Sequence, residues 1–123
     1  MNSNILSLAK DQSKHKNGVQ IEEIQTALRL RPSNTLEKVC TVQGSKVFVK
    51  KMQETFDFNQ VFDEKANNQM IFDAYVQKIV DRTIIGFNTA ICAYGQTSSG
   101  KTHTMRGSIV EDGIVQLAVQ YIF

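Results

Sequence analysis

Thr89–Met105 reads TAICAYGQTSSGKTHTM, and this stretch decides the fold. Within it, Gly95-Gln96-Thr97-Ser98-Ser99-Gly100-Lys101-Thr102 is a complete G-x-x-x-x-G-K-[ST] phosphate-binding loop. Gly95 and Gly100 permit backbone conformations closed to residues with a Cβ and a close approach to an anion. The loop N–H groups then turn inward and cradle phosphates. A helix is expected from about Gly100, its N-terminal partial charge adding to the cradle. Lys101 would reach the β- and γ-phosphates, and the Thr102 hydroxyl would ligate the Mg²⁺ that bridges them. The four fixed positions coincide by chance in well under about 1% of chains of this length. The apolar run Ala90-Ile91-Cys92-Ala93-Tyr94 before the loop has the composition of a buried parallel strand, which is the context such a loop requires.

The surrounding chain is that of one soluble α/β domain at most. It has 123 residues, 41% apolar and 21% charged, and a net charge of +2, too small to imply nucleic acid binding. Cys40 and Cys92 both sit in apolar runs and are expected as buried thiols, with no metal-ligand spacing between them. No secretory signal, membrane span or lipidation motif is visible, Asn2 standing where a myristoylated chain has Gly. A reducing intracellular compartment is the expectation, with no nucleic acid and no membrane as partner.

Met1–Gln20 is polar, with Lys10, Lys14, His15 and Lys16, and is expected to be a disordered N-terminal extension (residues 1–20) ahead of a domain over 21–123. Ile24–Arg31 alternates at period two, with Ile24, Thr26, Leu28 and Leu30 on one face, and reads as a strand ended by Pro32. Val39–Val42 and Lys46–Val49 flank Gln43-Gly44-Ser45 as a hairpin. Thr55–Phe62 reads as a further strand whose alternation slips near Gln60. Phe72, Val76, Val80 and Ile84 mark a helix, with Asn67 or Asn68 as cap and Gly86 past its end. Ser108–Asp112 reads as a loop, and helical periodicity resumes at Ile114, with Asp112 as a cap. The order predicts an α/β fold: a partial P-loop NTPase sheet flanked by helices, with a small β-hairpin lobe.

These residues resemble the N-terminal part of the kinesin motor domain. The resemblance is carried by Arg29-Leu30-Arg31-Pro32, Phe58-Asn59-Gln60-Val61-Phe62, Gly86-Phe87-Asn88, Ala93–Met105 and the helix restart from Gly113-Ile114 to Ile122-Phe123. It implies an ATP site in which Arg29, Arg31 and Pro32 flank the adenine and His103 covers its other side. Beyond ATP and Mg²⁺ it implies microtubules (tubulin) as the partner of the intact motor, and a cytoplasmic, cytoskeletal location. Three positions depart from the family pattern: Asn59 replaces the usual Asp, Thr89 follows Asn88 where Gly is usual, and Gln116-Leu117 replace Pro-Arg.

The family's two switch motifs, which position water and place an acid near Mg²⁺, do not occur in these residues. No residue is therefore assigned as catalytic. Asp81 follows Ile79-Val80, but on a helix, and is rejected as the metal-side acid. The expectation is an incomplete kinesin-motor fold, an ATP-binding fragment inactive alone. A small P-loop metabolite kinase is the alternative of another class; it predicts an arginine-rich lid, and only Arg106 follows the loop. A non-catalytic truncated kinesin-like protein is the third reading.

Overall fold

The period-two stretch after residue 22 forms the strand around which the larger sheet is built. The structure, a computed structural model, describes residues 3–10, 23–32 and 39–123. Its strands are β1 (Ser3–Lys10), β2 (Glu23–Leu30), β3 (Cys40–Gln43), β4 (Lys46–Val49), β5 (Glu54–Asp57), β6 (Gln60–Phe62) and β7 (Cys92–Tyr94). Its helices are α1 (Asn68–Ile71), which runs through a π-helical turn (Phe72–Val76) into α2 (Gln77–Ile84), then α3 (Lys101–Arg106) and α4 (Ile114–Ile122).

The larger sheet has the order β6-β2-β1-β7. β6 is parallel to β2, while β1 is antiparallel to both β2 and β7. It follows that β2, β6 and β7 all run the same way, with β1 reversed among them. Their carboxyl ends lie along one edge of the sheet, the edge at which open α/β sheets place their ligands. The smaller sheet is the meander β3-β4-β5, whose first turn is Gly44-Ser45 between the paired Gln43 and Lys46.

Thr55–Phe62 is two strands, not one. The slip near Gln60 is the point where the chain leaves the small sheet for the large one. Asn59 makes the join: its Oδ1 accepts from the Thr26 backbone N–H at 2.8 Å and its own N–H donates to the Thr26 carbonyl at 2.9 Å. The aspartate that the resemblance leads one to expect here would offer the same acceptor oxygen.

The long helix starts where the sequence suggests. Asn67 caps it, Oδ1 accepting from Met70 N–H at 2.8 Å, and Gly86 (φ +99°) follows its end. Ile71, Phe72, Val76 and Val80 are buried against Ile114 and Leu117 of α4, Phe62 of β6 and Ala27 of β2. Each such side chain is worth about 1.5–3 kcal/mol on burial. Ile84, expected on the stripe, is exposed. Steps of four residues drift by about 40° each on a 3.6-residue helix. The π turn, closed by Gln77 N–H to the Phe72 carbonyl, absorbs one such drift; two further steps carry Ile84 off the core face.

Four expectations are corrected. Ser3–Lys10, placed in a disordered extension, forms β1. The surrounding polar residues hide it in the sequence, but a segment that pairs on both edges satisfies its backbone groups there. The remainder of that extension, residues 1–2 and 11–20, lies outside the described residues. Ile24, expected to face the core, is 72% exposed, whereas Ala27 and Leu28, adjacent and on opposite faces, are both buried. The strand before the phosphate loop is short and open: Tyr94 is 71% exposed and Cys92 is an exposed thiol, while Cys40, at the start of β3, is half-buried. β7 has β1 as its one strand neighbour among the described residues, so its outer edge and much of its surface stay uncovered. Asp112 does not cap α4; Gly113 occupies that position, and Asp112 Oδ2 instead accepts from Gln120 Nε2 at 3.0 Å.

Candidate nucleotide site

The loop after β7 makes a tight path into α3. Ser98 (φ +63°) and Gly100 (φ +101°) are both left-handed; glycine tolerates this, and Ser98 carries it at a steric cost. Lys101 opens α3 and folds over the loop, its Nζ donating to the Gly95 and Gln96 carbonyls, each at 2.7 Å. Ser99 is fully buried, and its Oγ has no hydrogen-bond partner. A buried unpartnered hydroxyl costs about 1–3 kcal/mol, so it marks a place where an acceptor or donor is wanted. Thr102, one residue into the helix, is exposed.

Because β2, β6 and β7 point the same way, the chain leaving each of them converges on one groove of about 730 Å³. Arg31 and Pro32 come from the end of β2, Glu64–Asn67 from the end of β6, and Ser98–Thr104 from the end of β7. All four residues read as adenine-side, Arg29, Arg31, Pro32 and His103, line this groove together with Ser98, Ser99, Gly100, Lys101 and Thr102. Gly95, Gln96 and Thr97 are not among its lining residues. A smaller hollow of about 390 Å³ lies elsewhere, lined by Thr26, Ser45, Asp57, Phe58 and Asn59, and carries none of these residues.

The four residues read as adenine-side differ in how free they are. Pro32 and His103 are exposed to the groove. Arg31 Nη1 donates to the Ser98 carbonyl at 2.5 Å and so ties the end of β2 to the loop. Arg29 is engaged by protein acceptors: Asn68 Oδ1 at 2.6 Å, Thr104 Oγ1 at 2.8 Å and the Ala66 carbonyl at 3.1 Å. Burial pulls its guanidinium pKa below the ordinary arginine value, and the nearby Glu111 carboxylate opposes that fall.

Three residues that sequence reasoning missed complete the arrangement. Asn68 is 0% exposed, and its Nδ2 donates to the His103 carbonyl at 3.0 Å and to the Asp112 carbonyl at 2.9 Å. Thr104 is 1% exposed and accepts from Arg29. Glu111 accepts from the Asn68 backbone N–H through Oε1, and its Oε2 lies 3.2 Å from His103 Nε2. Of these, only Asn68 carried a visible signal, as one of two candidate caps; Glu111 lies in a stretch legible only as loop. Among the described residues, no group of three or more His, Cys, Asp or Glu could hold a metal, and no helix is long and apolar enough to cross a membrane.

Comparison with known proteins agrees with this geometry. The family model described as Kinesin motor domain matches residues 6–123. The chain is 35% identical over 107 residues to the kinesin-like protein KIN-7O of Arabidopsis thaliana, covering 84% of this chain and 8% of that protein. It is 34% identical over 113 residues to the kinesin heavy chain of Neurospora crassa, covering 81% of this chain and 12% of that one. A solved structure of a fast kinesin superposes with a TM-score of 0.65 at 31% identity, over 78% of this chain and 30% of the other. The chain thus spans a small part of the length of these relatives, and it belongs to the kinesin motor domain family.

Proposed function

We propose that β1 and residues 21–123 together form the N-terminal part of a kinesin-like motor domain, and that the groove at its sheet edge binds Mg·ATP. In the intact motor, hydrolysis there would be coupled to movement along microtubules, placing the protein on the cytoskeleton. The observation that carries this reading is the convergence of three strand ends on one groove. It brings Arg31 and Pro32, far apart from the loop in sequence, against Ser98–His103.

The residues present fit the nucleotide. The unpartnered Oγ of buried Ser99 lies within the loop that would wrap the phosphates. Lys101 Nζ, now resting on two loop carbonyls, would transfer its donors to phosphate oxygens, a charge-assisted exchange that favours the ligand. The exposed Thr102 hydroxyl would hold Mg²⁺. The ion, when bound, supplies neutralisation of phosphate charge. Pro32 and His103 offer flat faces to the base, and Arg31, by fixing Ser98, keeps the base side and the phosphate side at a constant separation.

Calorimetric titration with Mg·ATP tests the assignment. Lys101→Ala removes a charged donor worth about 1.5–3 kcal/mol and should weaken binding by about ten- to hundredfold. Equal affinity of wild type and variant would overturn it.

A further inference from the structure

We propose that Glu111 is a positioning residue for the base-side wall of the groove, and that it acts through His103. The proposal rests on the nucleotide reading above and goes beyond it, because Glu111 belongs to neither the phosphate loop nor the residues assigned to the adenine.

Three separate segments meet at this carboxylate. Oε1 accepts the backbone N–H of Asn68 at the start of α1, and Oε2 lies 3.2 Å from Nε2 of His103 in α3. Glu111 itself comes from the 108–112 connection, whose ends are held by the Gly107–Asp112 bridge and the bond from Ser108 N–H to the Glu111 carbonyl at 2.7 Å. Asn68 repeats the tie from below. Its side chain donates to the backbone carbonyls of His103 and Asp112 and accepts from Arg29.

The consequence for His103 is specific. Its backbone is fixed by Asn68, but its ring is 44% exposed and, among the described residues, has a single polar contact, the one to Glu111. A surface imidazole on a helix is free to change rotamer, and a ring that must lie flat on a base loses affinity when it does. Glu111 removes that freedom, holding the ring by Nε2 so that its face stays in the groove. The carboxylate also offsets the charge of the half-buried Arg29, which explains why an acid rather than an amide suits the position.

The role predicts an effect that depends on whether the ligand has a base. Binding of Mg·ATP and of magnesium tripolyphosphate would be measured by calorimetry on the full chain for wild type, Glu111→Gln, Glu111→Asp and His103→Ala. Glu111→Gln and His103→Ala should each weaken ATP by about five- to tenfold and leave tripolyphosphate within twofold, and the double variant should lose no more than either alone. Glu111→Asp keeps the charge beside Arg29 but shortens the reach; it should remain folded by circular dichroism and still lose ATP selectively, which decides the matter should Glu111→Gln unfold. An equal loss for both ligands would reduce Glu111 to a scaffold residue and overturn the proposal, as would additive losses in the double variant. Should wild type bind neither ligand, or Lys101→Ala bind both normally, the nucleotide reading itself falls. Intact tripolyphosphate and ATP binding with no selective loss sinks only the role of Glu111.

Discussion

At the scale of single residues, the polar groups in this chain divide into those with partners and those without, and the second set is the informative one. Tyr75 OH is buried without a partner, and burial pushes the phenol up to about 12. Its ring packs edge-on to Phe62 at 6.4 Å, a contact that phenylalanine would keep. Tyr75→Phe should therefore be neutral or stabilising by up to about 1 kcal/mol at neutral pH, since it removes an unsatisfied hydroxyl and no packing. The folded state holds the phenol proton from the ordinary tyrosine value of 10.0 up to about 12, while the unfolded chain releases it above 10. The contribution is thus intact below pH 10 and is lost as pH rises towards 12. Chemical denaturation of both proteins across pH 8–11.5 checks the sign: the stability gap should move further in favour of phenylalanine as pH rises. The three departures from the family pattern also prove to have partners. Asn59 joins two sheets, Thr89 Oγ1 lies 2.5 Å from Thr83 Oγ1, and Gln116 Nε2 donates to the Arg106 carbonyl at 2.8 Å. Each of the three side chains has a local hydrogen-bond partner.

At the scale of elements, the connection between α3 and α4 is where space is tightest. A Cβ on Gly113 would lie 2.3 Å from Gly107 N and 2.5 Å from the Met105 carbonyl oxygen, both backbone atoms that cannot swing away. Gly113→Ala must therefore move the strands of the Gly107–Asp112 bridge apart, and Glu111 with them. Thermal melts should show a loss of about 2 kcal/mol or more, in the range of other overpacked sites, whereas Gly44→Ala, at an open turn with φ +60°, should cost only its backbone strain of about 1 kcal/mol. Sequence periodicity located the helices well because both α2 and α4 bury a face against each other, and that face has to repeat. It failed where pairing rather than burial makes the element. β1 has as many apolar residues as β2, but Ile5 and Leu6 are adjacent and break the alternation, and the division of Thr55–Phe62 into β5 and β6 depends on a partner thirty-three residues away, Asn59 on Thr26. The phosphate loop was legible as a local string, as were the residues around it that the family pattern marks. Asn68, Thr104 and Glu111 were not, because their roles exist only once β2, α1 and α3 are brought together.

At the scale of the whole molecule, the groove depends on β7 being held parallel to β2, and β1 is what holds it. β1 pairs with β2 from Ser3↔Leu30 to Lys10↔Glu23 and with β7 from Ile5↔Tyr94 to Ser7↔Cys92. Remove β1 and β7 has no strand beside it among the described residues, while Gly95, the first residue of the phosphate loop, follows it directly. The N–H and C=O groups freed along β2 would also become an open edge, ready to pair with another chain. A variant beginning at Asp11 should therefore melt at a lower temperature, bind Mg·ATP at least about tenfold more weakly, and elute from size exclusion as aggregates or dimers at concentrations where the full chain does not. The affinity and the association state separate two mechanisms. If binding falls but the variant stays monomeric, β1 serves only to align the loop. If it associates and binding is restored in the dimer, a strand from the second copy has taken the vacant place. A melting temperature and an affinity both equal to those of the full chain would mean that α3 and α4, packed on the π turn and α2, position the loop without the sheet, and that the parallel alignment of β2 and β7 is a consequence of the groove rather than its cause.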